Sequence, residues 1–169
     1  MKHTRRTHLK FLGAATLASL SPRLAMATSD ATDPVVHEIE MLSKDPNDKK
    51  HRNYFSPDLI SIKPGDTVRF IATDKGHNSV SNKDMLPEGA EAWKGKISKD
   101  IEVTLTVEGT YGYHCMPHRS LGMVGLIVVG DHSSNYEAVK AAKQRGKAKS
   151  AYADLFERAD ALLGLPKEG

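Results

Sequence analysis

The chain has 169 residues, enough for one domain with appendages, and 39% of them are hydrophobic. Its formal charge of +3 misleads: residues 1–27 hold five of the 24 Lys and Arg and none of the 21 Asp and Glu, which leaves the remainder slightly acidic at −2. With no basic helix interleaved with aromatics, that balance excludes a nucleic-acid partner, and a single cysteine excludes an internal disulfide.

Residues 1–27 read as an address label. Thr4-Arg5-Arg6-Thr7-His8-Leu9-Lys10 is a basic start, Phe11 to Leu20 a short apolar run, and Ala25-Met26-Ala27 an A-x-A cleavage site, the three parts of an export signal. The run is too short and too rich in Ala, Gly and Ser for a membrane span, which makes an anchor helix the weaker reading, and no span is expected in the mature chain. The paired arginines in T-R-R-x-x-L-K resemble a twin-arginine signal, with His8 where Phe is usual and Arg23 in keeping with that route. Such signals carry folded proteins to the periplasm. There an unpaired cysteine is a liability unless something occupies it.

After a polar leader, Thr28 to Pro34, the run Val35 to Leu42 puts Val35, His37, Ile39 and Met41 on one face at period two, a half-buried strand. Ser43 to Arg52 reads as a charged loop. Leu59 to Ile62 is a strand stopped by Lys63-Pro64-Gly65-Asp66, and Thr67 to Thr73 is the next. Val80 to Lys99 is irregular, with a helical turn expected around Glu88 to Trp93 and Trp93 as a packing anchor. Ile101 to Val107 alternates, Thr110 to His114 reads as a strand, and Val124 to Val129 as another. Short β segments separated by turn signals fit a two-sheet sandwich. Beyond Gly130-Asp131 the composition shifts to Ala, Lys, Glu and Leu. Two helices are expected there, Asn135 to Gln144 with Ser133 or Ser134 as cap, and Ala148 to Leu163. In the second, Tyr152, Leu155, Phe156, Ala159, Leu162 and Leu163 form an apolar stripe that packs on the sandwich.

The one cysteine lies in Tyr113-His114-Cys115-Met116-Pro117-His118-Arg119-Ser120-Leu121-Gly122-Met123, a loop anchored by strands at both ends. A thiolate, an imidazole and a thioether from one loop suit a soft transition metal, and a His₂Cys copper site with a weak axial Met needs one more imidazole. His77, in Asp74-Lys75-Gly76-His77-Asn78, is the obvious supplier, because a strand runs out into that turn. A lone Cys is commonly a buried small hydrophobe, and Cys-x-x-His alone also resembles half of a zinc site. The joint pattern, with few other Cys or His nearby, favours copper.

Gly76-His77-Asn78 followed by Cys115-x₂-His118-x₄-Met123 resembles the cupredoxin family, and within it the pseudoazurin subfamily. Ser56 to Val68 and Pro87-Glu88-Gly89-Ala90-Glu91 match that subfamily's motifs in order, and the similarity runs from about Val35 to Leu163. Departures are a long segment Lys44 to Arg52 and His114 where Lys is frequent. The resemblance implies an all-β Greek-key two-sheet sandwich over residues 28–130, with residues 131–169 as a helical extension packed on it. It implies one copper per chain, held by His77, Cys115 and His118 with Met123 as the long axial ligand. Asn78 would tie the two ligand loops together, and Pro117 would stiffen the loop and remove a donor near the sulfur. The function implied is a monomeric periplasmic blue copper electron carrier of denitrification, not an enzyme. Its partners would be copper nitrite reductase, nitrous oxide reductase or a c-type cytochrome, met through an apolar rim (Met116, Pro117, Leu121) with Lys75 and Lys94 in the family's lysine ring. His114, at an unperturbed pKa of about 6.5, would add charge only in mildly acid medium.

Two alternatives stand beside this reading. A periplasmic copper carrier or storage protein would use the same ligands. Tyr113-His114-Cys115 also resembles copper nitrite reductases, in which a His beside the Cys reaches a second, catalytic copper. That chemistry needs further histidines, for which His37, His51 and His132 carry no motif.

Overall fold

The structure, a computed structural model, describes residues 33–166; the expected export signal lies outside the described residues. Strands β1 (Val36–Lys44), β2 (Arg52–Ser56), β4 (Thr67–Ile71) and β6 (Ile101–Thr104) form one sheet in the order β2-β1-β4-β6. Strands β3 (Leu59–Ile62), β5 (Val80–Ser81), β7 (Gly109–His114) and β8 (Val124–Val129) form the other in the order β3-β8-β7-β5. β1 is parallel to β4 and β3 to β8, and the remaining pairs are antiparallel. Helices α1 (Tyr136–Lys140) and α2 (Lys147–Leu163) follow. This is the two-sheet sandwich with two C-terminal helices that the sequence leads one to expect.

Side-chain parity explains which strands carry which residues. In β1 Ile39 and Met41 are buried while Glu38 and Glu40 face water, the alternation of a sheet solvated on one side. β7 and β8 are buried at every position, because both faces are covered. Tyr111, Tyr113, Ile127 and Val129 point between the sheets with Ile39, Val68, Phe70 and Trp93. Val124 and Leu126 point the other way, onto Tyr136, Val139, Tyr152, Leu155 and Phe156. The unbroken apolar run of β8 thus belongs to a strand with a helical layer on its far side. Cys115 falls on the inward parity of β7, and Met123 is buried in the same core.

Several boundaries differ from the sequence reading: β4 ends at Ile71 and β6 at Thr104, short of the expected Thr73 and Val107, and Val80–Ser81 is a strand within the segment read as irregular. Arg52 starts a strand rather than ending a loop, because Phe55, 2% exposed, pairs with Met41 and carries β2 into register; β1 correspondingly runs on to Lys44. The helical turn lies at Lys83–Met85, not at Glu88 to Trp93. There Trp93 is held extended by its N–H to Ser81 Oγ (2.9 Å) and its indole N–H to Ser79 Oγ (2.9 Å). α1 has only five residues and starts after Asn135 rather than at a serine cap. The Asn135 side chain leaves the helix to bond Thr110, accepting from its N–H (2.7 Å) and donating to its C=O (2.9 Å). Leu162 is exposed, so the stripe of α2 ends at Ala159 and half-buried Leu163, while Ala148 joins it at the other end.

Candidate metal centre

The sandwich brings two loops together at one end. The first follows β4, where Gly76 at φ 92° takes a conformation that a residue with a Cβ adopts only under strain. Gly76 N–H donates to Ser98 Oγ (2.9 Å) and Ser98 N–H to the His77 carbonyl (2.8 Å), fixing the backbone on either side of the His77 ring. The second loop joins β7 to β8. Cys115 N–H donates to the Met123 carbonyl (3.0 Å), closing its base. A 3-10 turn, Arg119–Leu121, ends in Gly122 at φ 98°.

His77 Nδ1, Cys115 Sγ and His118 Nδ1 face one another with His77–Cys115 3.8 Å, Cys115–His118 3.5 Å and His77–His118 3.1 Å. The centre of a triangle with those sides lies about 2.0 Å from each corner, close to the ~2.0–2.3 Å that borderline divalent ions take to imidazole and thiolate. Three atoms that can each ligate a soft metal converge on one metal-sized point. The three residues are the one such group of His, Cys or carboxylate side chains among the described residues. With buried Met123 at the loop's far end, they have the arrangement of a type 1 copper site.

The surroundings suit the donors. His77 Nε2 lies 2.9 Å from Ser43 Oγ, and the tautomer that donates from Nε2 to this hydroxyl has its Nδ1 lone pair toward the centre. Burial, and then the facing His118, push the His77 imidazole below its ordinary value, which favours its neutral form. Burial holds the Cys115 thiol above its ordinary value, partly offset by N–H groups of Asn78 and His118 that favour the thiolate. Asn78, 1% exposed, accepts from Met116 N–H (2.9 Å) and donates to the Gly95 carbonyl (2.9 Å), so it bridges both loops and the 95–98 segment. Pro117 is exposed, in the loop's outer wall.

The remaining candidates lie on the surface or away from the centre. Met116 and Leu121 are 49% and 51% exposed, and Lys75 and Lys94 are both exposed. Met116 lies beside a notch of about 390 Å³ walled by Arg119, Ser120, Lys143 and Arg145. His114 points away from the cysteine and is 9% exposed. Burial, reinforced by Arg119, pushes its imidazole down to about 4, so it stays neutral in mildly acid medium instead of gaining charge there. His37 bonds Asp66, His51 bonds Asp45 and His132 packs edge-on against Tyr136, three separate places. Ser43 falls within the segment that the sequence marks as a charged loop, so residue pattern does not single it out as a partner of His77. Its sole signal was the continued alternation of β1.

A mixed-sheet sandwich with a His₂Cys centre between its end loops defines a cupredoxin, a single-copper electron-transfer protein rather than an enzyme. Residues 45–130 match the model of the family described as copper binding proteins, plastocyanin/azurin family. A pseudoazurin of Paracoccus pantotrophus is 39% identical over 150 residues, covering 89% of this chain and 90% of that one. One from Methylorubrum extorquens is 38% identical over 147 residues, covering 86% and 93%. The solved structure of a Sinorhizobium pseudoazurin superposes with a TM-score of 0.71 at 46% identity, covering 75% of this chain and 98% of that one. The chain belongs to the pseudoazurins, in the plastocyanin/azurin family of copper-binding proteins.

Proposed function

We propose that this protein is a monomeric periplasmic shuttle whose one copper is held by His77 Nδ1, Cys115 Sγ and His118 Nδ1, with the Met123 thioether as weak axial donor. The observation that carries this is the triangle of donor atoms, 3.1 to 3.8 Å on a side. Copper bound there alternates between +1 and +2 states that prefer different geometries. The chain's task is therefore to hold one compromise arrangement through both. Ser43 fixes the His77 tautomer, Asn78 joins the loops, and Pro117 stiffens the segment after the sulfur without offering it an N–H. Electron self-exchange tests the reading: a shuttle exchanges rapidly and reversibly, whereas slow exchange with facile copper release would make the protein a copper carrier.

The compartment rests on residues 1–27, an export signal of twin-arginine type, followed by a sandwich domain over 28–130 and a helical extension over 131–169. A buried, unpaired Cys115 fits an oxidising compartment when a metal occupies it. Changing Arg5 and Arg6 together to Lys should strand the precursor in the cytoplasm, and normal export would sink the twin-arginine assignment.

Electrons leave through the His118 edge, within an apolar rim of Met116, Pro117 and Leu121. The partner is an acidic-faced redox protein of denitrification, a copper nitrite reductase, nitrous oxide reductase or c-type cytochrome. Lys75 and Lys94 supply positive charge in the family's positions. The notch adds Arg119, Lys143 and Arg145 against Met116, with no carboxylate among its walls. Such charges act chiefly on the association rate and fade with salt. Stopped-flow oxidation across a salt series, comparing Lys75→Glu/Lys94→Glu with Lys143→Glu/Arg145→Glu, separates the two flanks. Rates unchanged in both pairs at low salt would leave docking to the apolar rim alone.

A further inference from the structure

The loop that carries Cys115, His118 and Met123 is gripped on two sides. Asn78 holds it at Met116, and the C-terminal extension holds it behind His118. Arg119, the residue after His118, donates from Nη2 to Gln144 Oε1 (2.9 Å). That bond fixes which way the Gln144 amide faces, since an acceptor must meet the guanidinium. Its Nε2 then donates to the Met85 sulfur (3.1 Å), which also receives Asn82 Nδ2 (2.9 Å).

Met85 is itself closely packed. It is fully buried and lies over Gly112 of β7 so closely that a Cβ there would meet its Cε at 2.7 Å. Gly112 lies on β7, three residues before Cys115, which follows the strand directly. A continuous path therefore runs from β7 through Met85 and Gln144 to Arg119 and back to His118. It adds a side-chain link to a loop whose backbone is closed by Cys115 N–H to the Met123 carbonyl (3.0 Å) and, within it, by His118 N–H to the Cys115 carbonyl (3.2 Å) and Met123 N–H to the His118 carbonyl (3.2 Å). The extension is anchored independently of this path: Tyr152 Oη donates to the Tyr113 carbonyl (2.8 Å), and Gly146, at φ 59°, lies against the Ser120 backbone.

We propose that Gln144 is a positioning residue for the metal site: by accepting from Arg119 it holds the 3-10 turn behind His118 on the anchored C-terminal extension, and with it the direction of the His118 ring, while the Met85 sulfur keeps the Gln144 amide facing that way. This rests on the reading of His118 as a ligand. A ring held from behind keeps one direction whichever charge the centre carries, so an electron arrives without first reorienting it. The helical extension thereby becomes part of the electron-transfer apparatus instead of a lid on β8.

The test uses two variants. Gln144→Leu removes the acceptor for Arg119 at similar volume; Gln144→Glu keeps an acceptor, now charged, for Arg119 and loses the amide donor to the Met85 sulfur and the Ala142 carbonyl. In the copper-free protein, amide exchange is followed at Leu121, Gly122 and Met123, whose N–H groups bond the His118 and Arg119 carbonyls. The leucine variant should exchange there about tenfold faster while amides of β7 and β8 keep their wild-type rates, as expected of a local opening. The glutamate variant should stay within about threefold of wild type. In the copper-loaded protein the leucine variant should lose several-fold in self-exchange rate, and the glutamate variant should regain it. Unchanged loop exchange in the leucine variant would overturn the proposal, and so would equal acceleration throughout β7 and β8, which would mark a general stabiliser. Faster loop exchange with unaltered self-exchange would overturn the link to His118. The exchange measurement needs no copper, so it fails or succeeds independently of the ligand assignment, which the colour of a Cys115→Ser variant decides separately.

Discussion

Asn78→Ala should loosen the copper-free protein by an amount that can be worked out from its two bonds. The side chain is 1% exposed and joins Met116 N–H to the Gly95 carbonyl, each at 2.9 Å. Truncation leaves a donor and an acceptor unpaired in a site with little room for water. Each orphaned group costs about 1–3 kcal/mol, and partial relaxation of the exposed Met116 side puts the sum at roughly 2–4 kcal/mol. That is a large share of the ~5–15 kcal/mol that holds a domain of this size. In urea, with a slope of about 2 kcal/mol per molar, the midpoint should fall by roughly 1–2 M at unchanged slope. Asn78→Asp separates the two bonds: it keeps an acceptor for Met116 but sets a carboxylate against the Gly95 carbonyl, so it should be the worse variant at neutral pH. A midpoint shift in Asn78→Ala below about 0.2 M would refute the idea that this side chain latches the loops together.

Two further outcomes test the scaffold around the site. Asp66 accepts from Val35 N–H (2.9 Å), Lys63 N–H (3.0 Å) and His37 Nε2 (2.9 Å), and these, led by the Val35 bond, hold its carboxyl down at about 2. A native value below the unfolded one of 3.8 means stability fully present above about pH 4 and lost as pH falls toward 2. Asp66→Asn should therefore cost on the order of 2 kcal/mol at pH 7, with the gap closing below about pH 3, in urea unfolding at several pH values; a pH-independent gap would contradict it. Gly125→Ala should fail for a steric reason, because its Cβ would press into the Tyr113 ring and stand 2.7 Å from the Asp58 carbonyl oxygen. Tyr113 is fully buried, with Phe55 and Phe70 ring centroids 4.8 and 5.1 Å away, and it has nowhere to retreat. The overpacking should lower the thermal midpoint by roughly 10 °C, and an unmoved midpoint would show that the core yields there.

What could be read ahead was what side-chain period and loop spacing encode. β3 and β8 fall at the expected residues, because each is an apolar run closed by turn residues. The three donors that meet in space were legible from their residue types and from the strand ends that carry them. The missed features depend on partners distant in sequence. β2 exists because Met41 offers Phe55 a neighbour, and Asn135 abandons its helix for a strand 25 residues earlier. Ser43 reaches a histidine 34 residues away, and Gln144 a guanidinium 25 residues away. Local sequence carries no mark of such pairings. His114 departs from its ordinary value for a related reason: burial in the folded chain, reinforced by the Arg119 charge, which residue spacing does not reveal.

The central claim is that His77, Cys115, His118 and Met123 together hold one copper ion. The most direct measurement is a copper titration of the protein lacking residues 1–27, followed by visible absorption and run in parallel on Cys115→Ser. One equivalent of copper(II) should raise an intense thiolate-to-copper band in the wild type and none in the serine variant, while amide exchange in β7 and β8 shows that both are folded. A serine variant that keeps the colour, or a wild type that binds one copper without that band, would contradict the account.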